Sequence, residues 1–328
     1  METRLLDSDD VADCAPLDAV VPAVEDAFAA YARDDVVMPA KSYVDLPEHG
    51  GDFRSMPAYV DAGEWEAAGH KWVNVHPDNR DRFDLPTVMG TMAYSDPRNG
   101  FLRSLMDGTE LTMRRTGAAA AVATKHLARE DADSLGIVGA GVQAHMQLEA
   151  IATVRDVREV VVCDRNEGRV AAFVEAFEDR FDVRGGSVSE AGHCDVLSTV
   201  TPVEDPIVSP GDVGPTTHVN AIGADAPGKH ELADDLLRDA KIVIDDYEQC
   251  THSGEINVPW RAGVLGDADV HAELGDVVVG DSEGRTPEDG VTVFDSTGLA
   301  IQDVAAAHVA HENAVDGGVG TDFDLLGV

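Results

Sequence analysis

Between residues 41 and 106 the chain breaks into short runs that alternate apolar and polar positions: KSYVDLP (41–47), DFRSMPAYV (52–60), HKWVNVH (70–76), LPTVMGTMAY (85–94) and FLRSLM (101–106). Runs of this length, bounded by turn residues, predict strands. SDPRNG (95–100) joins the last two as a turn, so an antiparallel sheet is expected. Ahead of it, DAVVPAVEDAFAAYARDD (18–35) has the apolar period of an amphipathic helix.

At residue 107 the pattern changes. DGTELTMRRTGAAAAVATKHLA opens as a turn with a Thr cap and runs on as an alanine-rich helix, the expected bridge between domains. From residue 134 strands and helices alternate: SLGIVG, a helix from 142, VREVVVCD, a helix from 167, CDVLSTVT, THVNAIGAD and KIVIDD. Such alternation predicts a mostly parallel, doubly wound sheet, an α/β architecture. After a last strand, VTVFD (291–295), STGLAIQDVAAAHVAHENAV reads as a capped helix returning to the first domain. The expected division is residues 1–115 with 300–328 as one domain and 116–299 as the other.

Composition narrows the function. A chain of 328 residues, 44% hydrophobic, fits two domains with full cores. No window approaches the roughly 20 apolar residues of a membrane span, and the acidic start METRLLDSDDVAD has no signal-like pattern. A cytoplasmic protein without membrane contact is expected. The net charge of −38 excludes nucleic acid as a partner, because phosphates demand a basic stripe. The acid is spread along the whole chain, as suits a high-salt cytoplasm where charges are screened within a few ångströms. Cys14, Cys163, Cys194 and Cys250 lie far apart, so neither a metal site nor a disulfide framework is expected.

Against 19 arginines there are five lysines (41, 71, 125, 229 and 241). In GHKWVNVHP (69–77), strand alternation puts Lys71 on one face with Val73 and Val75. Either its stem lies along apolar surface with the ammonium in water, or a scarce charge is placed for chemistry. SLGIVGAGVQAHMQ (134–147) sets Gly139, Gly141 and Ala144 in G-x-G-x-x-A spacing between a strand and a helix. That spacing serves a tight turn, close approach to a pyrophosphate and close helix–strand packing. Further on, VVVCDRN ends a strand in Asp164, where a carboxylate accepts from ribose hydroxyls. An acid there favours NAD over NADP, and Arg165 keeps NADP as the lesser alternative. Asp225 lies just past a strand of the same sheet, either as an acid/base or as the cap of a helix beginning near Gly228.

FRSMPAYV and GHKWVNVHP, MDGTELTMRRTGAAAA, NAIGADAPGKHEL and TVFDSTG, taken with the glycine motif, resemble the ornithine cyclodeaminase/mu-crystallin family. The resemblance implies a Rossmann dinucleotide-binding domain plus a discontinuous α+β substrate and dimerisation domain with an antiparallel sheet, assembled as a homodimer. It also implies roles. Lys71 matches a substrate-binding lysine that can also serve in catalysis. Arg115 matches an arginine near substrate carboxylate and nicotinamide, and Asp225 an acid/base. Lys41 stands where cyclodeaminases carry a substrate-binding arginine. Thr87, Val142, Gln143, Thr201, the run Val219, Asn220, Ala221 and Ile222, and Ser296 fall on NAD-contacting positions. Arg54 replaces a glutamate of the cyclodeaminases, as in the alanine dehydrogenase branch, and as a guanidinium suits a carboxylate. The expected reaction is NAD-dependent oxidation of L-alanine to pyruvate and ammonia. Ornithine cyclodeamination to proline, a related imine reduction, and ligand binding without turnover are the alternatives.

Overall fold

The computed structural model describes residues 2–325 and 327. It divides into two compact units, one of Met1–Arg115 with Leu299–Val328 and one of Thr116–Gly298. The protein is mixed α/β.

The first unit is built on one sheet. Its spatial order is Thr321–Phe323, Thr3–Leu6, Leu102–Asp107, Val88–Ser95, Glu66–Val75, Gly51–Asp61 and Val36–Val37, with Ser42–Leu46 also pairing with Gly51–Asp61. The five strands expected between 41 and 106 form, and their neighbours pair antiparallel. The sheet is not wholly antiparallel, however. Thr3–Leu6 lies parallel to Leu102–Asp107; no short turn joins the two, so nothing forces their directions to alternate.

Register decides which side chains share a face. Lys71 stands opposite Met56 on one side and Met92 on the other, while Arg54 stands opposite Val73 and Tyr43. Helices Leu17–Ala32 and Ala300–Gly317 pack on this face, the second buried throughout 300–307 and again at Ala310. Gly69 allows the approach: a Cβ there would lie 3.1 Å from Val304 Cγ2. The opposite face carries a stacked Phe53–Trp72 pair, ring centroids 5.1 Å apart.

The second unit holds eight strands among the described residues, all parallel, in the order Asp182–Gly185, Glu159–Cys163, Ser134–Val138, Val196–Thr199, His218–Ala221, Thr292–Asp295, Lys241–Ile244 and Val270–Glu273. Strand order reverses beside Ser134–Val138, which places the glycine loop at a topological switch point where such sheets bind ligands. The four cysteines are free thiols, three of them buried.

Three local expectations are corrected. The helix Gly108–Leu127 is capped by Asp107, whose carboxylate accepts from Glu110 N at 2.7 Å. Thr109 Oγ1 instead accepts from Gly90 N. The helix Ala300–Gly317 starts behind Leu299 with no side-chain cap, since Ser296 donates its hydroxyl to Asp245. No helix begins near Gly228, and the next one is Asp234–Asp239.

Candidate active site

In the second unit the glycine loop leaves Ser134–Val138 and enters the helix Val142–Ile151. Gly139 has φ 104°, and a Cβ there would stand 2.9 Å from Val200 O, so only glycine fits. Gly141 is the helix N-cap with no side-chain cap, and a Cβ added to it would meet nothing within 4 Å. The first amides of a ten-residue helix therefore stay uncapped, with Val142 exposed beside them. Gln143 Oε1 is buried without a hydrogen-bond partner among the described residues. Uncapped amides with open space beside them suit a pyrophosphate.

Asp164 ends the next strand. One carboxylate oxygen accepts from Ala140 N and the other from Asn166 N, each at 2.8 Å. The acid thus ties the glycine loop to the strand end, while Arg165 is exposed.

The carboxyl ends of the central strands are tied together by buried Glu231. One oxygen accepts from Thr201 N at 2.8 Å and Thr201 Oγ1 at 2.6 Å, the other from Thr199 Oγ1 at 2.8 Å and Gly223 N at 2.9 Å. Burial pushes its carboxyl above the usual range. Val219 and Ala221 point into the core, so they offer a ligand backbone rather than side chain. Asn220 is buried between Thr124 Oγ1 and His218 Nε2. The His218 ring is held near a pKa of about 3 by burial, which keeps it neutral. Ile222 N donates to Thr199 O, and Ser296 Oγ to Asp245 Oδ2.

Asp225 follows in the loop after His218–Ala221. It forms an ion pair with Lys229, its side chain 35% exposed. Asn257, fully buried, steadies this loop by accepting from Gly228 N at 3.0 Å and donating to Lys229 O at 2.9 Å.

The first unit carries the cationic cluster. Lys71 is 1% exposed. Its Nζ donates to Asp303 Oδ1 at 2.7 Å and to Thr112 Oγ1 at 3.1 Å. Burial lowers its pKa to about 7, opposed by the Asp303 charge and aided by those of Arg115 and Lys41. Arg115 donates to Gln302 Oε1 at 2.9 Å. Its Nε stands 3.0 Å from Asp303 Oδ1, close enough for an ion pair but not aligned as a hydrogen bond. Arg54 shares the Lys71 face, stacks its guanidinium over Tyr43 and lies against Asp52, Nε to Oδ1 3.0 Å. Lys41 immediately precedes the strand of Tyr43. Thr87 accepts from His76 N through its carbonyl, a backbone contact of the sheet.

Lys71 and Arg115 are therefore brought together, and Arg54 stands on the same sheet face. Gln302, Asp303, Thr112 and Glu231 were not singled out in the sequence. One signal was available: Gln302 and Asp303 interrupt the apolar run LAIQDVAAA, an unusual position for an acid. Among the described residues no group of His, Cys, Asp and Glu is arranged for a metal. No helix of the described residues is long and apolar enough to cross a membrane.

Residues 1–318 match the family model described as ornithine cyclodeaminase/mu-crystallin family. The chain belongs to that family. An alanine dehydrogenase of Archaeoglobus fulgidus is 46% identical over 327 residues, 99% of each chain. A solved archaeal alanine dehydrogenase, a dimer with bound NAD, superposes with a TM-score of 0.94 at 45% identity, covering 99% of this chain and 100% of that one. The Thermococcus litoralis Delta(1)-pyrroline-2-carboxylate reductase, solved with NADH and L-proline, gives 0.92 at 34% identity over 97% and 99%. The family thus includes proteins named for amine oxidation and for imine reduction.

Proposed function

We propose that this protein is an NAD-dependent amino-acid dehydrogenase that oxidises L-alanine to pyruvate and ammonia. The observation that carries the reading is a buried lysine whose pKa is lowered to about 7, grouped with Arg115 in a family whose solved members hold NAD or NADH. Bound NAD would supply the hydride acceptor. The uncapped amides beside Gly141 would hold its pyrophosphate and Asp164 its ribose. Thr201, the backbone of Val219–Ile222, Ser296 and Thr87 would complete its surroundings, with NADP disfavoured by the Asp164 charge.

Arg115, Arg54 and Lys41 would hold the substrate carboxylate. Arg54 already shares its charge with Asp52, so it would orient rather than dominate. Lys71, neutral in part near pH 7, would accept a proton from the substrate ammonium. Once the hydride leaves Cα the imine carbon is electrophilic. Asp225 would take a proton from the attacking water and return it to the departing ammonia. We also infer a homodimer, supported by the exposed aromatic face around Phe53 and Trp72 and by the dimeric relative.

Alanine mixed with NAD in concentrated KCl should build up absorbance at the NADH wavelength, with pyruvate formed in equal amount. Ammonia released from ornithine without net NADH would replace this reading by cyclodeamination. Turnover confined to the reduction of pyrroline-2-carboxylate would replace it by imine reduction.

A further inference from the structure

Asp303 lies on the helix Ala300–Gly317 with its side chain fully buried, and among the described residues it is the acid that meets both Lys71 and Arg115. A single oxygen, Oδ1, serves both cations: Lys71 Nζ at 2.7 Å and Arg115 Nε at 3.0 Å. The neighbouring side chain, Gln302, holds the other side of Arg115 at 2.9 Å. Asp303 Oδ2 and Gln302 Nε2 are buried with no hydrogen-bond partner among the described residues.

An isolated carboxylate at such depth is costly, and a pair made only for stability would be expected to satisfy both of its oxygens. Here two cations converge on one oxygen. That arrangement fixes the position of both relative to the helix.

We propose that Asp303, supported by Gln302, is a positioning residue of the amino-acid site. It holds the Lys71 ammonium and the Arg115 guanidinium in one geometry and governs the proton on Lys71. The inference rests on the reading of Lys71 and Arg115 as substrate-handling groups. The charged groups facing Lys71 are Asp303 from the helix, Arg115 from Gly108–Leu127, Lys41 from ahead of the strand Ser42–Leu46, and Arg54 on its own sheet face. Three of the four are cations that favour the neutral amine. Asp303 is the one that favours the ammonium, so removing its charge must move the titration downward.

The test follows Lys71 by NMR in protein labelled at the lysine ε-carbons, of which there are five. In the wild type, Lys71 should titrate near pH 7. Asp303→Asn keeps the shape and removes the charge. Its Lys71 titration should fall by about 1 to 3 pH units, the usual effect of one close opposite charge. The acid limb of kcat/KM for alanine should move down with it, and KM should rise about tenfold as Arg115 loses its partner.

A folded Asp303→Asn protein with an unmoved Lys71 titration would overturn the proposal. Asp303→Glu keeps the charge and displaces the oxygen, so it should hold the Lys71 titration within about one pH unit of wild type while KM rises; an unchanged KM in that variant would overturn the positioning role even if Asp303→Asn does not fold. Neither NMR reading needs a substrate, so the hold of Asp303 on the Lys71 proton is judged separately from turnover of alanine.

Discussion

Lys71 carries its charge where water does not reach, and its proton is therefore linked to folding. Its pKa is 10.5 in the unfolded chain and about 7 in the fold. Between these values the unfolded chain binds a proton that the folded chain has released. The stability associated with this group thus rises as pH climbs from about 7 towards 10.5, by up to about 1.4 kcal/mol for each unit crossed. Denaturant unfolding of wild type and Lys71→Met at pH 7 and 9.5 should show the wild type gaining on the variant at the higher pH. A constant difference would mean that Lys71 keeps its proton. Asp225 makes a separate demand, because its pair with Lys229 shares no residue with the hydrogen bond from Ala140 N to Asp164 that ties down the glycine loop. Asp225→Ala should lower kcat by about 10²- to 10⁴-fold while NAD affinity, measured by fluorescence titration, stays within a few-fold. An equal loss of binding would remove its acid/base role. At this scale the sequence was informative where a residue type was out of place. A scarce lysine on one strand face with two valines could be read locally, whereas Asp303 gains meaning only from Lys71, 232 positions away in the chain.

Elements were legible in proportion to how local their causes are. The strands from 41 to 106 and the alternating strands after 134 announce themselves by period and turn residues. Thr3–Leu6 and Thr321–Phe323 do not, since each is short and exists by pairing with strands distant in the chain, the first with Leu102–Asp107 and Thr321–Phe323, the second with Thr3–Leu6. The caps failed for a related reason. Several hydroxyl and carboxyl groups stood near each helix start, and tertiary partners chose among them: Asp245 took Ser296, and Gly90 took Thr109. Glu231 shows how much one such partner can organise, because its carboxylate joins the ends of Val196–Thr199 and His218–Ala221 by accepting from four donors. Glu231→Gln would turn an NH₂ towards that group of donors. We expect a loss of about 1 to 3 kcal/mol in stability and a weaker hold on NAD, read by thermal melts with and without cofactor. A variant equally stable and equally stabilised by NAD would show that the clamp is dispensable.

At the scale of the molecule, 62 acidic against 24 basic residues leave a net charge of −38. In dilute buffer these charges repel across roughly 10 Å, whereas near 1 M salt the repulsion is confined to about 3 Å. The melting temperature should therefore rise from 0.1 M to 2 M KCl. Sucrose at matched osmotic strength should not reproduce the whole of the rise, because it leaves charges unscreened. The same field acts on the cofactor. NAD is an anion approaching a strongly negative surface, and the uncapped amides beside Gly141 would favour its pyrophosphate. Salt commonly weakens phosphate binding, because cations on the protein are screened. With a net charge of −38, repulsion from the surrounding acid is expected to outweigh that attraction, so screening should tighten binding. KM for NAD is expected to fall as KCl increases over the range in which the fold, monitored by circular dichroism, is unchanged. A KM that rises across that range would mean that local cations outweigh the global field, and the acidic surface would then bear on folding alone.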